Sequence, residues 1–475
     1  MSNFLPLDEE ILKRIGSIAD RERIEAYVVG GYVRDALLGR VVKDIDIVVL
    51  GSGVDFAKLV GKEFGSSGVV VFEKFGTAML PLSDRKVEFV GARKESYKKD
   101  SRKPHVAQGT LEDDLSRRDF TVNAIAASLN SETYGKLLDP FDGQKDLAAK
   151  LLRTPLEPKA TFDDDPLRIM RAMRFAAQLR FKVDPSILEA ASAMADRLKI
   201  VSQERISEEF LKILMADVPS IGLELLQKTG VMRIIFPELS ELAGVEQRQE
   251  YHHKDVFYHT LQVVDNVAQK SNNIWLRMAA LLHDIAKPRT KAFKQGQGWT
   301  FHGHDDLGSR MVDSIFRRMR FPMEFVPYVE KLVRLHLRPQ ALVDDGVTDS
   351  AIRRLIFEAG DSIDDLMALC RADITTKNLR LIDQVKRNYD LVVAKIAEVE
   401  EKDRIRNWQP PLRGDEIMEV CQIPPGPMVG VLKDKITDAI LEGICSNDHD
   451  SALQYLLSIK DEVMKQPPVK KKRRI

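Results

Sequence analysis

"YVVGGYVRDALLGRVVKDIDIVVL", Tyr27 to Leu50, reads as strand, glycine turn, short helix, loop and second strand, with two acids opening that second strand. Asp44 and Asp46 stand two apart. The period-2 geometry of a strand sends both carboxylates to one face and Ile45, Ile47 and Val49 to the other. The apolar face enters a core while the acidic face meets a ligand. Two carboxylates held this close repel each other unless a cation lies between them, and Mg²⁺ suits such a pair because it takes oxygen ligands together with substrate phosphates. D-x-D alone is more often simply a polar strand edge. The neighbours decide otherwise: Gly30 and Gly31 follow an apolar run and precede a helix, so glycine backbone and a helix N-terminus face an anion, with Arg34 one turn in as a charged clamp.

Around this stretch the chain has 475 residues, enough for about three domains, and 44% of them are hydrophobic. Lys and Arg balance Asp and Glu at 72 each, so no global affinity for polyanions follows and any nucleic-acid surface must be local. Cys370, Cys421 and Cys445 are widely spaced and form no C-x-x-C pair, which argues against a disulfide framework or a cysteine zinc site and suits a reducing compartment. The first twenty residues read as an amphipathic helix with early acids, and no apolar run is long enough for a membrane span. A soluble cytoplasmic protein is expected, without membrane association; the oligomeric state is not legible.

Residues 26 to 140 mix β-like runs ("VVVFEKFGTAMLPL", "KVEFVGA", "AIAASL") with turns and a few helices, giving an α/β domain on one sheet, and everything later reads as helical. In "KVEFV" Glu88 points away from Val87 and Phe89. It is a third acid beside Asp44 and Asp46, or the solvent face of an edge strand. Arg85 to Lys103 carries eight basic residues against three acids, the pattern of a solvated, mobile loop that can also meet phosphates. Arg117, Arg118, Asp119 and Asn123 precede an apolar run. The two arginines are either a structural ion pair with Asp113 or Asp114, or a triphosphate clamp.

"DDDPLRIMRAMRFAAQLRF" opens the helical part. Asp163 or Asp164 is expected to cap, Pro166 to fill the first turn, and Leu167, Met170, Met173 and Ala177 to form the buried stripe. Arg168, Arg171 and Arg174 form a basic stripe without interleaved acids. Such a stripe is usually solvated, yet three guanidiniums repel unless something anionic lies along them. Asp165 with Arg168 offers acceptors beside a donor fork, the chemistry that reads a base on its Watson–Crick edge.

"GGYVRDALLG" with "DID", then "RRDFTVNAIA", then "DDPLRIMRAMRF" resemble, in order, the successive motifs of class II tRNA nucleotidyltransferases and the related bacterial poly(A) polymerases. The resemblance implies an α+β chain: a polymerase-β-like nucleotidyltransferase head (1–150), a helical neck that selects nucleotides and binds RNA (151–245), a helical HD-type metal-binding body (246–400) and a helical tail with a basic extension (401–475). It implies Mg²⁺ on Asp44 and Asp46, with Glu88 as the third carboxylate. Gly30, Gly31, Arg34 and Arg118 would hold the triphosphate, and Asp165, Arg168, Arg171 and Arg174 would form a protein template for CTP and ATP, with Asn123 nearby. One position departs from the usual motif, reading Asp164 before Asp165 where Glu is usual. The chemistry expected is attack of a tRNA 3′-hydroxyl on the α-phosphate of a nucleoside triphosphate, with loss of pyrophosphate. A poly(A) polymerase, an enzyme adding only A or only CC, and a non-catalytic RNA-binding protein are the rival readings.

Seven of the nine histidines fall between His252 and His336. The order His259, His283–Asp284, Asp373 resembles the HD metal-dependent phosphohydrolase superfamily, which implies one metal, of transition type, on these four residues. His304 and His336 sit where ligands of a second metal would. The site is either an active phosphohydrolase of 2′,3′-cyclic or phosphorylated RNA ends or a structural remnant, and retained metal binding is the favoured reading. The segment around "ERISEEFLKIL" reads as RNA-binding neck, "IPPGPMVGVLKDKITDAIL" as a glycine turn opening a helix, and "PPVKKKRRI" as a disordered basic tail.

Overall fold

The computed structural model describes residues 3–465 apart from 43, 67, 74–75, 83–84, 99–100, 250–251, 296–297, 345–347, 377 and 404–407. The basic "PPVKKKRRI" lies outside the described residues. Two compact units divide the chain, Met1–Ser240 and Glu241–Ile475.

The first unit opens with helix α1 (Glu10–Glu22), then β1 (Ala26–Val29), α2 (Gly31–Leu37), β2 (Ile45–Val49), α3 (Gly53–Glu63), β3 (Val70–Phe72), β4 (Thr77–Pro81) and β5 (Lys86–Gly91). A ribbon of β6 (Arg93–Lys98) and β7 (Ser101–Gln108) follows, then α4 (Leu111–Ser116), β8 (Ala126–Ser128) and β9 (Leu137–Leu138). Seven strands form one sheet in the order β3-β4-β5-β2-β1-β8-β9. β1 is an interior strand, antiparallel to both β2 and β8. All four of its residues are buried, as an apolar strand flanked on both sides requires. β2 and β5 run parallel, with Asp46 opposite Glu88. The expected alternation holds at Ile45, Ile47 and Val49, but Val48, on the same face as Asp46, is also buried and packs against Tyr27, Val29 and Ala126. Only the start of β2 is therefore an acidic edge. The basic stretch after Glu88, expected as a loop, is instead antiparallel ribbon with a register irregularity between Ser96 and Lys98.

After α5 (Gly143–Ala149) and β10 (Leu151–Leu152) come α6 (Pro158–Asp164), α7 (Leu167–Leu179), β11 (Lys182–Val183), α8 (Pro185–Met194) and α9 (Gln203–Leu214). Asp163 and Asp164 do not cap α7; they close α6. Pro166 disfavours helical backbone in the residue before it, so Asp165 is extended and its Oδ1 accepts the Leu167 N–H at 3.2 Å. Leu167, Met170, Met173 and Ala177 are buried as the pattern requires. Phe120 meets Phe175 edge to face at 5.6 Å, tying the sheet's "RRDFTVN" segment to α7.

The second unit is mainly helical, but a purely helical reading is incorrect: Glu246–Gln249 pairs with His252–Asp255, and Ala292–Lys294 with Gly298–Thr300, as antiparallel ribbons. Helices Val256–Ala268, Ile274–Leu282, His304–Met319, Val326–Leu335 and Ile363–Ala372 surround its histidines. Gly414–Cys421, Pro427–Leu441 and His449–Lys465 share a separate core of Leu412, Ile417, Leu432, Ile436, Ile440 and Leu456. Gly426 precedes the second of these helices, as expected. Among the described residues no helix is long and apolar enough to cross a membrane.

Candidate active site and candidate metal centre

A cleft of about 470 Å³ in the first unit is lined by Gly30, Gly31, Arg34, Asp44, Asp46, Arg118, Asn123, Arg171 and Arg174, and by Asp35, Asp119, Phe175 and Gln178. Gly30 joins β1 to α2 at φ +72°, and a Cβ there would meet Arg118 Nη1 at 2.8 Å and Asp46 Oδ2 at 3.4 Å. Only glycine lets the guanidinium and the carboxylate close over this turn. Burial raises the Asp46 carboxyl above its ordinary range; Arg118 opposes the shift, and Glu88 and Asp44 add to it. A group of carboxylates held against their own repulsion is a donor set for a hard cation, so these residues fit Mg²⁺. Glu88 stands outside the cleft lining, 55% exposed, with Lys86 Nζ at 3.6 Å.

Arg118 Nη2 lies 3.1 Å from Asp114 Oδ2, and Arg117 also bonds Asp114. The structural ion pair thus exists, through Asp114, while Asp113 forms a capping box with Thr110. Being held by Asp114 does not exclude Arg118 from the cleft.

Along the wall of the cleft runs a continuous, partly buried network. Arg34 forks onto Asp35 at 2.9 and 2.6 Å and donates to Asn123 Oδ1 at 2.7 Å. Asn123 Nδ2 donates to Asp119 at 2.9 Å, and Asp119 Oδ2 takes both Nε and Nη2 of Arg171 at 2.8 and 2.6 Å. Glu209, from α9, takes Arg174 Nε at 2.6 Å and lies 3.9 Å from Arg171. The guanidiniums of Arg174, Arg34 and Arg171 lie 4.0, 5.2 and 5.4 Å from the Phe175 ring centroid. The anion that the arginine stripe calls for is therefore supplied by the protein, from Asp119 and Glu209. Burial alone would raise the Asp119 carboxyl, but Arg171 and Asn123 bring it down to about 2.

Asp165 and Arg168 do not line the cleft. Asp165 Oδ2 pairs with Arg205 at 2.9 Å, and Arg168 donates to the Thr161 carbonyl at 3.2 Å and to that of Arg117.

In the second unit His259, His283 and Asp373 form one cluster of potential metal ligands and Asp284, His304 and His336 another. His259 Nε2 lies 2.9 Å from Asp373 Oδ1 and 3.5 Å from Asp284 Oδ2; His304 Nε2 lies 3.2 Å from Asp284 Oδ1. Helix ends place them: His283, His336 and Asp373 directly follow helices, and His304 opens one. Three rings donate from Nδ1 to the carbonyl three residues back, His283 to Ala280 at 2.8 Å, His304 to Phe301 at 2.8 Å and His336 to Val333 at 2.6 Å. His259 Nδ1 meets Thr375 Oγ1 at 2.9 Å. Every ring thus turns its Nε2 inward, the orientation that outer partners impose on metal-bound histidines. The Nε2 atoms of His283 and His304 are buried, with the Asp284 carboxylate at 3.3 and 3.2 Å but no well-aligned hydrogen bond. Orphaned imidazole nitrogens beside two carboxylates fit a metal ion. Sequence reasoning missed Lys287, whose Nζ lies 2.7 Å from Asp284 Oδ2; an i, i+3 spacing was the available signal. It also missed Glu209, which no local pattern marks, and named Asp119 without its role as the partner of Arg171.

Residues 26–153 match the Poly A polymerase head domain, 180–242 the probable RNA and SrmB-binding site of polymerase A, and 256–373 the HD domain. The multifunctional CCA protein of Nitrosococcus oceani is 36% identical over 321 residues, 66% of this chain and 74% of the relative. That of Methylococcus capsulatus is 33% identical over 369 residues, 74% of this chain and 81% of the relative. A crystal structure of a tRNA nucleotidyltransferase complexed with a primer tRNA and an incoming ATP analog superposes with a TM-score of 0.58 at 26% identity, over 81% of this chain and 99% of that one. With more than 30% identity across some three quarters of these relatives' length, and with the head and HD segments matching in one chain, the protein belongs to the multifunctional CCA protein family.

Proposed function

We propose that this chain adds CCA to the 3′ end of tRNA from CTP and ATP. The carrying observation is that one cleft gathers the D-x-D acids, the Gly30 turn, Arg118 and the two template arginines Arg171 and Arg174. The tRNA 3′-oxygen bonds to the α-phosphorus, the bond to the β-phosphate side breaks, and pyrophosphate leaves. Mg²⁺ held by Asp44, Asp46 and Glu88 would lower the hydroxyl's pKa and neutralise the leaving group. Arg118 and Arg34, with the backbone at Gly30 and Gly31, hold the triphosphate; the protein supplies position and charge rather than a covalent nucleophile. Asp165 and Arg168 read the base by exchanging Arg205 and backbone carbonyls for its edge, a swap between hydrogen bonds of similar strength that costs little net. The cytoplasm, where tRNA, CTP and ATP meet, is the matching location.

The test is extension of tRNA lacking its last three nucleotides with CTP, ATP or both. Completion to CCA is expected only with both. Unlimited ATP incorporation would make the chain a poly(A) polymerase, and no incorporation would leave it an RNA-binding protein.

The orphaned Nε2 atoms favour a second activity, phosphate hydrolysis at a transition metal held by His259, His283, Asp284 and Asp373, with His304 and His336 able to hold another ion. Metal-dependent release of phosphate that His283→Ala removes without slowing nucleotide addition is the expected result; equal loss of both would contradict separate sites.

A further inference from the structure

Between Asp284 and His304 the chain reads "IAKPRTKAFKQGQGWTFHG", with Lys287, Arg289, Lys291 and Lys294, no acid, and Phe293, Trp299 and Phe301. Phe293 and Trp299 are directly opposed in the ribbon Ala292–Lys294/Gly298–Thr300 and so share one face, with Lys291 beside Trp299 and Phe301 just past the strand's end. Phe293 is 63% and Trp299 43% exposed. Their rings meet edge to face at 5.3 Å, and Lys291 Nζ lies 4.6 Å from the Trp299 centroid. A cross-strand aromatic pair stabilises a ribbon by about 0.2–1 kcal/mol, which accounts for the contact. It accounts neither for large rings left in water nor for four cations without an acid among them.

The root of this face is joined to the metal centre. Phe301 supplies the carbonyl that orients His304, and Lys287 Nζ lies 5.7 Å from the Phe301 ring while pairing with Asp284. Trp299 and Phe301 are two residues apart, about 7 Å along a strand.

We propose that this ribbon is a stacking platform for the unpaired 3′-terminal bases of an RNA whose end enters the metal centre, a proposal that rests on the phosphohydrolase reading for what happens there. Single strands are recognised by π-faces interleaved with cations, because every base has a face to stack and every linkage a charge. Duplexes bury those faces against each other. At the centre, water attacks the phosphorus of a 3′-phosphate, the bond to the 3′-oxygen breaks, and that oxygen takes up a proton as phosphate leaves.

The full chain is titrated with single-stranded oligoadenylate of roughly ten nucleotides. Quenching of tryptophan fluorescence is expected, lost in Trp299→Phe, which keeps a ring and hence the fold. With 3′-phosphorylated oligoadenylate, Phe293→Ala/Trp299→Ala is expected to raise KM roughly ten-fold with kcat within about two-fold. Release from para-nitrophenyl phosphate, which has no base, stays unchanged. No quenching, equal quenching in Trp299→Phe or by a duplex, or an unchanged KM overturns the platform. So does a wild-type dimer that the double variant turns monomeric without any quenching, which assigns the face to a second copy. Phosphate release from neither substrate, with Trp299-dependent quenching intact, defeats the hydrolase reading and leaves the platform standing.

Discussion

Asp119 illustrates how single residues set this cleft. Its carboxylate holds Arg171 by two hydrogen bonds and Asn123 by a third, and Asn123 in turn receives Arg34. Asp119→Asn leaves Arg171, a third exposed, with Glu209 at 3.9 Å as its remaining acid, and is expected to lower the unfolding free energy by about 1–2 kcal/mol, read from the urea midpoint. The pH dependence follows from the depressed carboxyl. A folded value of about 2 against an ordinary 3.8 means the contribution is complete above about pH 4 and disappears as pH falls through 2. Stability of the wild type should drop more steeply than that of Asp119→Asn between pH 4 and 2. Gly30→Ala tests the turn: its Cβ would displace Arg118, and a shift near 1 Å at a positioning group costs on the order of a hundred-fold in rate, measured as single-turnover CTP addition. Gly30, Asp44 and Asp46 were legible because turn, strand and acid spacing all lie within twenty residues. Asp119 was visible only as a neighbour of Arg118, since its partner stands 52 residues away.

At the scale of elements, α7 carries the template arginines and α9 sets them. Glu209 is 3% exposed, reaches Arg174 at 2.6 Å, and also takes Lys212 at 3.1 Å. Replacing its charge in Glu209→Gln keeps the shape but removes a charge-assisted hydrogen bond of about 2 kcal/mol, roughly thirty-fold. The expected outcome is a KM for ATP and CTP raised by up to that factor and weaker discrimination against UTP, together with a lower melting midpoint because Arg174 loses its buried partner; a fall in melting midpoint with unchanged KM would reduce Glu209 to a packing residue. Helix α7 is legible from its buried stripe, but its start is not: an acid triplet before Pro166 reads as a cap with Pro166 in the first turn, whereas Asp163 and Asp164 end the preceding helix. Ribbons were missed for a related reason. "KAFKQGQGWTF" contributes only three residues to each paired strand, too few for alternation to stand out against the helices around it.

At the scale of the molecule, two compact units each contain a chemically complete cluster, and the metal centre of the second is where linkage is strongest. Burial alone would depress His283, but Asp284 and Asp373 carry it up to about 10, so it holds a proton at neutral pH; burial lowers His336 to about 4, so it is already neutral. A metal ion entering through Nε2 must therefore displace a proton from His283, and its apparent affinity should rise with pH from 7 toward 10. Calorimetric titration of chelator-treated protein with Mn²⁺ in two buffers of different ionisation enthalpy checks this: about one proton released per ion is expected, and none would mean that His283 is not a ligand. Metal at a hundred times its Kd stabilises whatever it binds by about 2.7 kcal/mol, and since all six ligands lie between His259 and Asp373, only the second unit should gain. Thermal unfolding followed by limited proteolysis should show peptides from Glu241 onward protected by the ion and those before Ser240 unchanged. Protection of both to the same degree would show that the chain unfolds as one cooperative body, and would make the separate loss of phosphate release in His283→Ala the decisive evidence for two working centres.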